Sequence, residues 1–308
     1  MTAFEDLSLL RAFIAIVESG SISAGARRLR IPQPTLSRRL RALEERSGMA
    51  LLRRDTHRMS LTLAGERLLE EARLILVRID DAQQRLREEH NTLSGHLRLI
   101  ASIDYGQCHV TRLVSRFLLQ HPGVTASLAL TNRPLHMIRE GADVGVVPGR
   151  ITDESVIARR VGAIVLHLAA APALVKKHPR ARTPADLARW PWLSLDGPQF
   201  WNVNELILHG PKGAPRKVTL SPVLTSEGVT SLCEAARTGL GLALLPDWLI
   251  REDLRSGTLV RVLPEWKPQD LPLHVVYAGN RLLPLRTSAF IDYAVKELST
   301  NGEYRGAA

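Results

Sequence analysis

The sequence has few cysteines and few aromatic residues, and it lacks any long apolar run. Cys108 and Cys233 are the two cysteines among 308 residues, which excludes a disulfide framework and favours a reducing compartment such as the cytoplasm. No stretch of about 18 consecutive apolar residues occurs, so no membrane-spanning helix is expected. The acidic residues ahead of the first apolar stretch are not typical of a secretory signal. Aromatic residues form only 5% of the chain, so aliphatic residues must supply most of the core.

Motifs for catalysis and metal binding are also missing. We find no G-x-G-x-x-G after a strand, no phosphate-binding Walker loop and no G-x-S-x-G elbow. The histidines have no metal-ligand spacing, since His90 and His96 lie six residues apart with no cysteine cluster nearby. We therefore expect no catalytic residue, metal or cofactor. An enzyme built on a doubly wound α/β fold remains the alternative, and each cysteine is either a small buried hydrophobic residue or a redox switch.

Positive charge is concentrated at the N-terminus. The chain carries a net charge of +10, and residues 1–60 hold eleven arginines, no lysine and six acidic residues. Arginine is suited to contacts with phosphates and with base edges. This distribution favours a polyanionic partner, and nucleic acid before a membrane.

Three short helices are predicted in this basic segment. The first ends at Ser19-Gly20, the second begins after the N-cap Ser21, and the third runs from about Pro32 to Arg46. The apolar positions of the first and third helices are spaced by three and four residues: Leu7, Leu10, Ile14 and Val17, then Leu36, Leu40 and Leu43. The other side of the third helix is polar and basic, as a helix in the major groove requires. Two short extended pieces around residues 55–57 then form a plausible wing.

These residues resemble a known family over residues 7–66. The stretches FIAIVESGSISAGARRL, PQPTLSRRLRALEERSGMALLRRD and LTLAGERLL are similar to the winged helix-turn-helix of LysR-type transcription regulators. Two positions depart from the family: Pro32 replaces the usual Ser or Thr and removes a capping hydroxyl, and Leu52 replaces the usual Phe. The resemblance and the polar pattern together give these candidates for contact with DNA: Ser23, Gln33, Pro34, Thr35, Ser37, Arg38, Arg41, Arg53, Arg54 and Arg58.

Residues 62–90 predict one long helix capped by Thr62. Small and apolar residues recur every three and four positions along it: Gly65, Leu68, Ala72, Ile75, Ile79, Ala82 and Leu86. Such a heptad pattern is typical of a helix that pairs with a second copy of itself, although the stripe could instead pack only on its own domain. The resemblance implies a homodimer through this helix, a homotetramer as a dimer of dimers, double-stranded promoter DNA as partner and RNA polymerase as a further candidate partner.

The remaining residues, 91–308, alternate between predicted strands and helices, which favours mostly parallel sheets covered by helices. They resemble the effector-binding domain of LysR-type regulators, which is built like a periplasmic binding protein. The expected fold is thus α/β: residues 1–61 form an α-rich winged helix-turn-helix, 62–90 the linker helix, and 91–308 two α/β lobes. Lobe I would hold about 95–163 and 268–300, and lobe II about 164–267. Within them, residues 134–140 and 226–238 are predicted as helices and 218–224 as one extended segment.

Ligands of such folds bind where strands end and helices begin. The turns after two strands are therefore candidates for a small-molecule site, and family resemblance points to the same turns. The candidate effector ligands are Ser102, Asp104, Tyr105, Thr131, Asn132, Pro148, Phe200, Thr225, Ser226 and Glu227. The simpler alternative is that they are helix caps in a constitutive DNA-binding protein without effector. Because Asp104 would compete with an anion for helix N–H groups, we expect a neutral, zwitterionic or cationic effector unless Arg133 or Arg150 compensates.

Overall fold

The computed structural model describes residues 6–54, 59–87, 93–132, 141–178, 180–197, 200, 204–210, 215–279 and 283–300, with the backbone alone at residues 54, 59, 77, 78 and 80–87. These residues divide into two compact units, one chiefly within residues 1–91 and one chiefly within residues 92–308. No helix in these ranges is long and apolar enough to cross a membrane.

The N-terminal unit contains the three predicted helices, a two-stranded hairpin and a long helix. Its elements are α1 (Leu7–Ser19), α2 (Ile22–Leu29), α3 (Gln33–Ser47), β1 (Leu52–Arg54), β2 (Met59–Leu61) and α4 (Leu63–Arg87). The antiparallel β1–β2 pair confirms the predicted wing. The core is aliphatic around one ring, that of Phe13, and all three leucines predicted to be buried on α3, namely Leu36, Leu40 and Leu43, are at most 1% exposed.

Local chemistry fixes the ends of these helices. The hydroxyl of Ser21 accepts a hydrogen bond from the N–H of Ala24 at 3.1 Å, which confirms the predicted N-cap of α2. Gly20, between α1 and α2, has a φ of +70°, a conformation that glycine adopts without strain. Helix α3 follows Pro32 and has no side-chain cap, which is the expected consequence of proline at that position.

The side chains of Glu44 on α3 and of Thr62, just before α4, both hold the base of the wing, where β1 begins and β2 ends. Glu44 accepts hydrogen bonds from the N–H groups of Leu51 and Leu52. Thr62 accepts from the N–H of Gly65 at 3.0 Å, as predicted for the cap of α4, and donates to the carbonyls of the chain ahead of β1. A Cβ on Gly65 would lie 2.1 Å from the carbonyl oxygen of Leu51, so only glycine permits this approach.

The apolar stripe of α4 packs in part on its own unit. Leu69 and Ala72 are buried in the core of α1 to α3, and Leu68 and Ile75 pack against that core. The expectation that the whole stripe faces a second copy is therefore wrong for its first half, because the three short helices alone leave their core open on this side. The backbone of α4 continues to Arg87, whereas the side chains of Ala82 and Leu86 lie outside the described residues.

The C-terminal unit is built on two five-stranded sheets. Lobe I holds the sheet β4-β3-β5-β15-β6, and lobe II holds the sheet β11-β8-β12-β7-β13 together with a small sheet, β10-β9-β14. The strands of lobe I are β3 (Gly95–Ala101), β4 (Val124–Leu130), β5 (Val144–Pro148), β6 (Val156–Ile164) and β15 (Leu271–Ala278). Those of lobe II are β7 (Leu166–Ala170), β8 (Trp192–Leu195), β9 (Glu205–His209), β10 (Arg216–Thr219), β11 (Pro222–Ser226), β12 (Leu242–Pro246), β13 (Val260–Arg261) and β14 (Lys267–Pro268).

Helices cover both sheets. Lobe I has α5 (Ile103–Tyr105), a π-helical turn (Gly106–Val110), α6 (Thr111–Gln120) and α10 (Leu285–Thr300), and lobe II has α7 (Pro172–Lys177), a 3-10 helix (Pro184–Arg189), α8 (Val229–Arg237) and α9 (Asp247–Ser256). The chain passes between the two sheets twice, from β6 to β7 and from β14 to β15. Both lobes share one continuous hydrophobic core.

Several sequence expectations need correction here. Neither large sheet is mostly parallel: β15 is antiparallel to β5 and β6, and β7 is antiparallel to β12 and β13. Strands β7 and β15 follow the two passages between lobes, so they enter their sheets from the opposite end. Residues 218–224 contribute to two strands, β10 and β11, and α8 begins at Val229 rather than at Ser226. The predicted helix 134–140 lies outside the described residues.

Candidate functional site

Helix α3 presents a polar and basic face to solvent. Its leucines point into the core, while Gln33, Pro34, Arg38 and Arg41 are exposed and Thr35 and Ser37 are half-buried. A rotation of about 100° per residue places Gln33, Ser37 and Arg41 on one side of the helix, with Pro34 and Arg38 next to them along one edge. The face therefore offers amide, hydroxyl and guanidinium groups on an α-helix, which are the groups that read base edges in a major groove.

The flanking candidates take different positions. Ser23 is exposed on α2 and Arg53 is exposed on β1 of the wing. Arg54 lies on the same strand with only its backbone described, and Arg58 lies outside the described residues. Arg27 and Arg30 are also exposed on and just after α2, and sequence reasoning did not single them out. In a single sequence, a basic residue outside α3 has no pattern that marks it as a DNA contact.

Three arginines of the N-terminal unit are already held by carboxylates. Arg41 lies 3.4 Å from Glu45, one turn along α3, and both side chains are largely exposed. Glu18 on α1 binds Arg28 on α2 at 2.7 Å and Arg73 on α4 at 3.1 Å. The first pair is a weak surface contact that a phosphate could replace. The second joins three helices and gives Arg28 and Arg73 a structural role.

The second candidate site is a cavity between the lobes. It measures about 30 Å³. Seven of its lining residues were predicted as effector ligands: Ser102, Asp104, Tyr105, Asn132, Pro148, Phe200 and Glu227. The other eight lining residues are all apolar: Ile164, Leu166, Leu195, Val229, Leu244, Pro246, Trp248 and Leu271. Sequence reasoning missed these because an apolar residue on a strand or a helix has the same sequence pattern whether it lines a cavity or fills a core.

Asp104 spans the cavity from lobe I to lobe II. Its carboxylate accepts hydrogen bonds from the N–H of Val229 at 3.0 Å, from the N–H of Thr230 at 3.2 Å and from the hydroxyl of Thr230. Helix α8 has no cap from its own chain segment, since Gly228 occupies that position. Asp104 therefore caps a helix of the other lobe, with its negative charge at the positive end of the helix dipole.

Asn132 makes a second link between the lobes. Its side-chain oxygen accepts from the N–H of Ile103 at 3.0 Å, and its side-chain amide donates to the carbonyl of Glu227. Asn132 is only 5% exposed and Asp104 9% exposed. Together these two residues hold the N-termini of α5 and α8 close to each other.

Three predicted ligands lie elsewhere. Thr225 is exposed on β11. The hydroxyl of Ser226 accepts a hydrogen bond from the N–H of Gly228 at 3.1 Å. Thr131 directly follows β4, and its backbone N–H donates to the carbonyl of Ala101 on β3. None of them is among the lining residues of the cavity. Ser226 thus closes the turn between β11 and α8, and it does not cap α8, whose N-cap position is held by Gly228.

A larger cavity of about 330 Å³ lies beside the first and shares Phe200, Leu244 and Leu271 with it. Arg150 lines this second cavity and is exposed there. Arg133, the other arginine considered as a counter-charge for Asp104, lies outside the described residues. Among the described residues that line the small cavity, none is a lysine or an arginine.

The cysteines lie away from both cavities. Cys108 is exposed in the π-helical turn, and Cys233 is 0% exposed on α8. Burial raises the pKa of the Cys233 thiol to about 11. Such a thiol is a poor nucleophile at neutral pH, so Cys233 behaves as a small buried hydrophobic residue. The described residues contain no group of three His, Cys, Asp or Glu side chains placed to hold a metal.

A winged helix-turn-helix head joined to a two-lobed domain with a cavity between its lobes defines a class: DNA-binding regulators with a ligand-binding module. Two family models match the chain, "Bacterial regulatory helix-turn-helix protein, lysR family" over residues 7–66 and "LysR substrate binding domain" over residues 90–299. The chain belongs to the LysR family.

Relatives of full length support this assignment. An HTH-type transcriptional regulator of Xanthomonas campestris pv. campestris is 28% identical over 300 residues, which cover 97% of this chain and 87% of the relative. The Vibrio cholerae virulence activator AphB, a member of the LTTR protein family, has a TM-score of 0.66 at 25% identity, over 94% of this chain and 99% of its own. CrgA, a LysR-type transcriptional regulator from Neisseria meningitidis, has a TM-score of 0.58 at 26% identity, over 95% and 99%.

Proposed function

We propose that this chain binds promoter DNA as a symmetric oligomer and that a small molecule in the cavity between the lobes changes that binding. The observation that carries the proposal is α3, whose leucines are buried while its Gln, Ser and Arg side chains remain at the surface. The relatives are named as transcriptional regulators, which favours a role without catalysis. Ligand binding would shift the lobes or subunits and so move the DNA-reading heads.

The proposed DNA contacts divide by role. Gln33, Ser37 and Arg38 would read base edges, whereas Arg53 and Arg54 on the wing would hold phosphates, with Arg58, Ser23, Pro34, Thr35 and Arg41 around them. Pairing of two chains would follow the part of α4 beyond the core, where Leu76 and Ile79 are half-buried and lie outside the packed cluster of the head. Two-fold symmetry would then require a roughly palindromic site of fixed spacing.

DNA binding is tested by measuring the affinity of the purified full chain for its own upstream region over a series of salt concentrations. We expect affinity to fall steeply as salt rises, because phosphate contacts release counterions. Arg38→Ala should weaken binding by roughly 10- to 100-fold and relax specificity at one base pair. The control is Arg255→Ala, which removes another exposed arginine, from the other unit, and should leave affinity unchanged. Salt-insensitive binding, or an unchanged Arg38→Ala protein, contradicts the proposal.

Oligomerisation is tested by light scattering on Ile79→Asp. A charge on the pairing face should convert dimers to monomers at micromolar concentration. Arg67→Asp, which changes the charge on an exposed position of the same helix, is the control and should stay dimeric. A wild-type chain that is monomeric at the same concentration would rule out the symmetric oligomer.

A further inference from the structure

We propose that the cavity between the lobes takes an uncharged, largely apolar molecule of about one ring, with one hydrogen-bond-accepting oxygen. This inference rests on the proposed effector response and names the chemical class of ligand for it. Three features of the cavity carry it: the helix N-terminus that would bind an anion is already filled, the walls are apolar, and two buried donors lack partners.

The first feature is Asp104. The N–H groups of Val229 and Thr230 and the hydroxyl of Thr230 all point at its carboxylate. An anionic ligand would have to displace this carboxylate or lie beside it, and like charges at contact distance repel strongly in a site shielded from water. No lysine or arginine among the described lining residues compensates. The chain thus supplies its own anion at the position where an acid ligand would bind.

A cation is also disfavoured. The carboxylate of Asp104 already accepts three hydrogen bonds at the positive end of α8, which leaves it less able to bind a cation as well, and the side chain of Glu227 is exposed to solvent. The remaining walls are aliphatic and aromatic, from Ile164 and Leu166 at the passage between lobes to Trp248 on α9. Moving an ion from water to such walls without a partner is costly. A ligand without net charge avoids that cost.

The third feature is a pair of polar atoms with no partner among the described residues. The hydroxyl of Ser102 and the indole nitrogen of Trp248 are buried, neither forms a hydrogen bond within the described part of the chain, and both residues line the cavity. Ser102 is 6% exposed and does not cap α5, the helix that it precedes. The indole N–H can only donate, so its natural partner is an acceptor oxygen such as a carbonyl or ether. A buried donor left unpaired is costly, which gives such a ligand a specific gain.

The size of the ligand follows from Phe200. The cavity of about 30 Å³ has room for about two waters. Phe200, which is 8% exposed, lines both this cavity and the cavity of about 330 Å³. Displacement of its ring towards the larger cavity would vacate a space of one phenyl group. A ligand with one ring can therefore occupy the site by replacing the Phe200 ring, with its oxygen at Ser102 and Trp248.

The test uses three probes of nearly equal shape and different charge: benzamide, benzoate and benzamidinium. Their binding to the full chain is measured by titration calorimetry without DNA, whereas the DNA test above contains no ligand, so the two proposals fail separately. We expect benzamide to bind at least about 10-fold more tightly than either ion. In Asp104→Ala, which frees the N–H groups of Val229 and Thr230, benzoate should gain affinity and overtake benzamide. Asp104→Asn keeps the shape of the cap and serves as the test if the alanine variant fails to fold. In this variant the preference for benzamide over benzoate should be smaller than in the wild type.

Asp186→Ala is the matched control. Asp186 also accepts from two backbone N–H groups and one threonine hydroxyl at a helix start, but on an exposed surface away from the cavity. It should leave the order of the three probes unchanged. Phe200→Ala should strengthen benzamide binding, because no ring then needs to move. The proposal is overturned if benzoate or benzamidinium binds the wild-type chain as tightly as benzamide does, or if none of the three binds either the wild-type chain or Phe200→Ala.

Discussion

The carboxylate of Glu44 on α3 accepts a hydrogen bond of 2.9 Å from the backbone N–H of Leu51, and a longer one of 3.3 Å from that of Leu52. Leu51 and Leu52 begin the wing, and both are at most 9% exposed. Glu44 therefore joins the recognition helix to the wing, so that the two parts of the proposed DNA surface are fixed relative to each other. No local motif announces this contact, because its partners are backbone groups seven and eight residues away.

Glu44→Ala should lower the free energy of unfolding of the N-terminal unit by about 1–3 kcal/mol, because two buried N–H groups lose their acceptor. Urea denaturation measures this change. The control is Glu45→Ala, one position along the helix, whose side chain is 69% exposed and pairs with the exposed Arg41. It should change stability by no more than about 0.5 kcal/mol. Equal effects of the two substitutions would argue against the clamp.

The head was largely predictable because its signals are local. A helix cap depends on residues within one turn of it, as at Ser21 and Thr62. A buried helix face is indicated by a spacing of three and four residues, as for Leu36, Leu40 and Leu43. The strand directions were not predictable in the same way. Strands β7 and β15 run antiparallel to their neighbours because the chain has just crossed from the other lobe. No residue type on either strand indicates this crossing.

The cavity was half predictable for a related reason. Ser102, Asp104 and Asn132 stand at turns between strand and helix, where polar residues draw notice, and all three line the cavity. Thr225 and Ser226 have the same local pattern but point elsewhere. The partners of Asp104, at Val229 and Thr230, lie more than 120 residues away in sequence. Only the packing of the two lobes could bring them together.

Arg237 on α8 and Asp253 on α9 form a bidentate pair, with two N–O distances of 2.8 Å. The Asp253 side chain is 9% exposed, so Arg237 replaces most of the water that would otherwise solvate the carboxylate. Asp253→Asn should destabilise the C-terminal unit by about 1–3 kcal/mol, since a charged pair with fixed geometry is replaced by a weaker contact. The control is Glu252→Gln at the preceding residue, whose side chain is 83% exposed. It should hardly change the midpoint of thermal denaturation. A stability unchanged by Asp253→Asn would mean that the pair contributes nothing.

The two thiols should react at very different rates. Cys233 is 0% exposed and burial raises its pKa to about 11, whereas Cys108 is exposed, although partial burial and the charge of Asp104 raise the pKa of its thiol as well. Maleimide labelling of the native chain should therefore modify Cys108 slowly and Cys233 only after denaturation. Cys108→Ser should abolish native labelling, and Cys233→Ser should preserve it. Mass spectrometry showing native modification of Cys233 would contradict this assignment.

His274 on β15 should make stability depend on pH. Burial lowers its pKa below 6.5, and the charge of Arg160 on the neighbouring strand lowers it further, against a hydrogen bond with the backbone of Gly149. Below about pH 6.5 the unfolded chain gains a proton that the folded chain resists, so stability is full above this pH and falls as the pH drops through the folded pKa. In His274→Gln, the midpoint temperature of thermal unfolding should change less between about pH 7.5 and about pH 5 than it does in the wild type. His209→Gln, at an exposed position on β9, should keep the wild-type slope, and a slope that survives in His274→Gln would assign the effect to other groups.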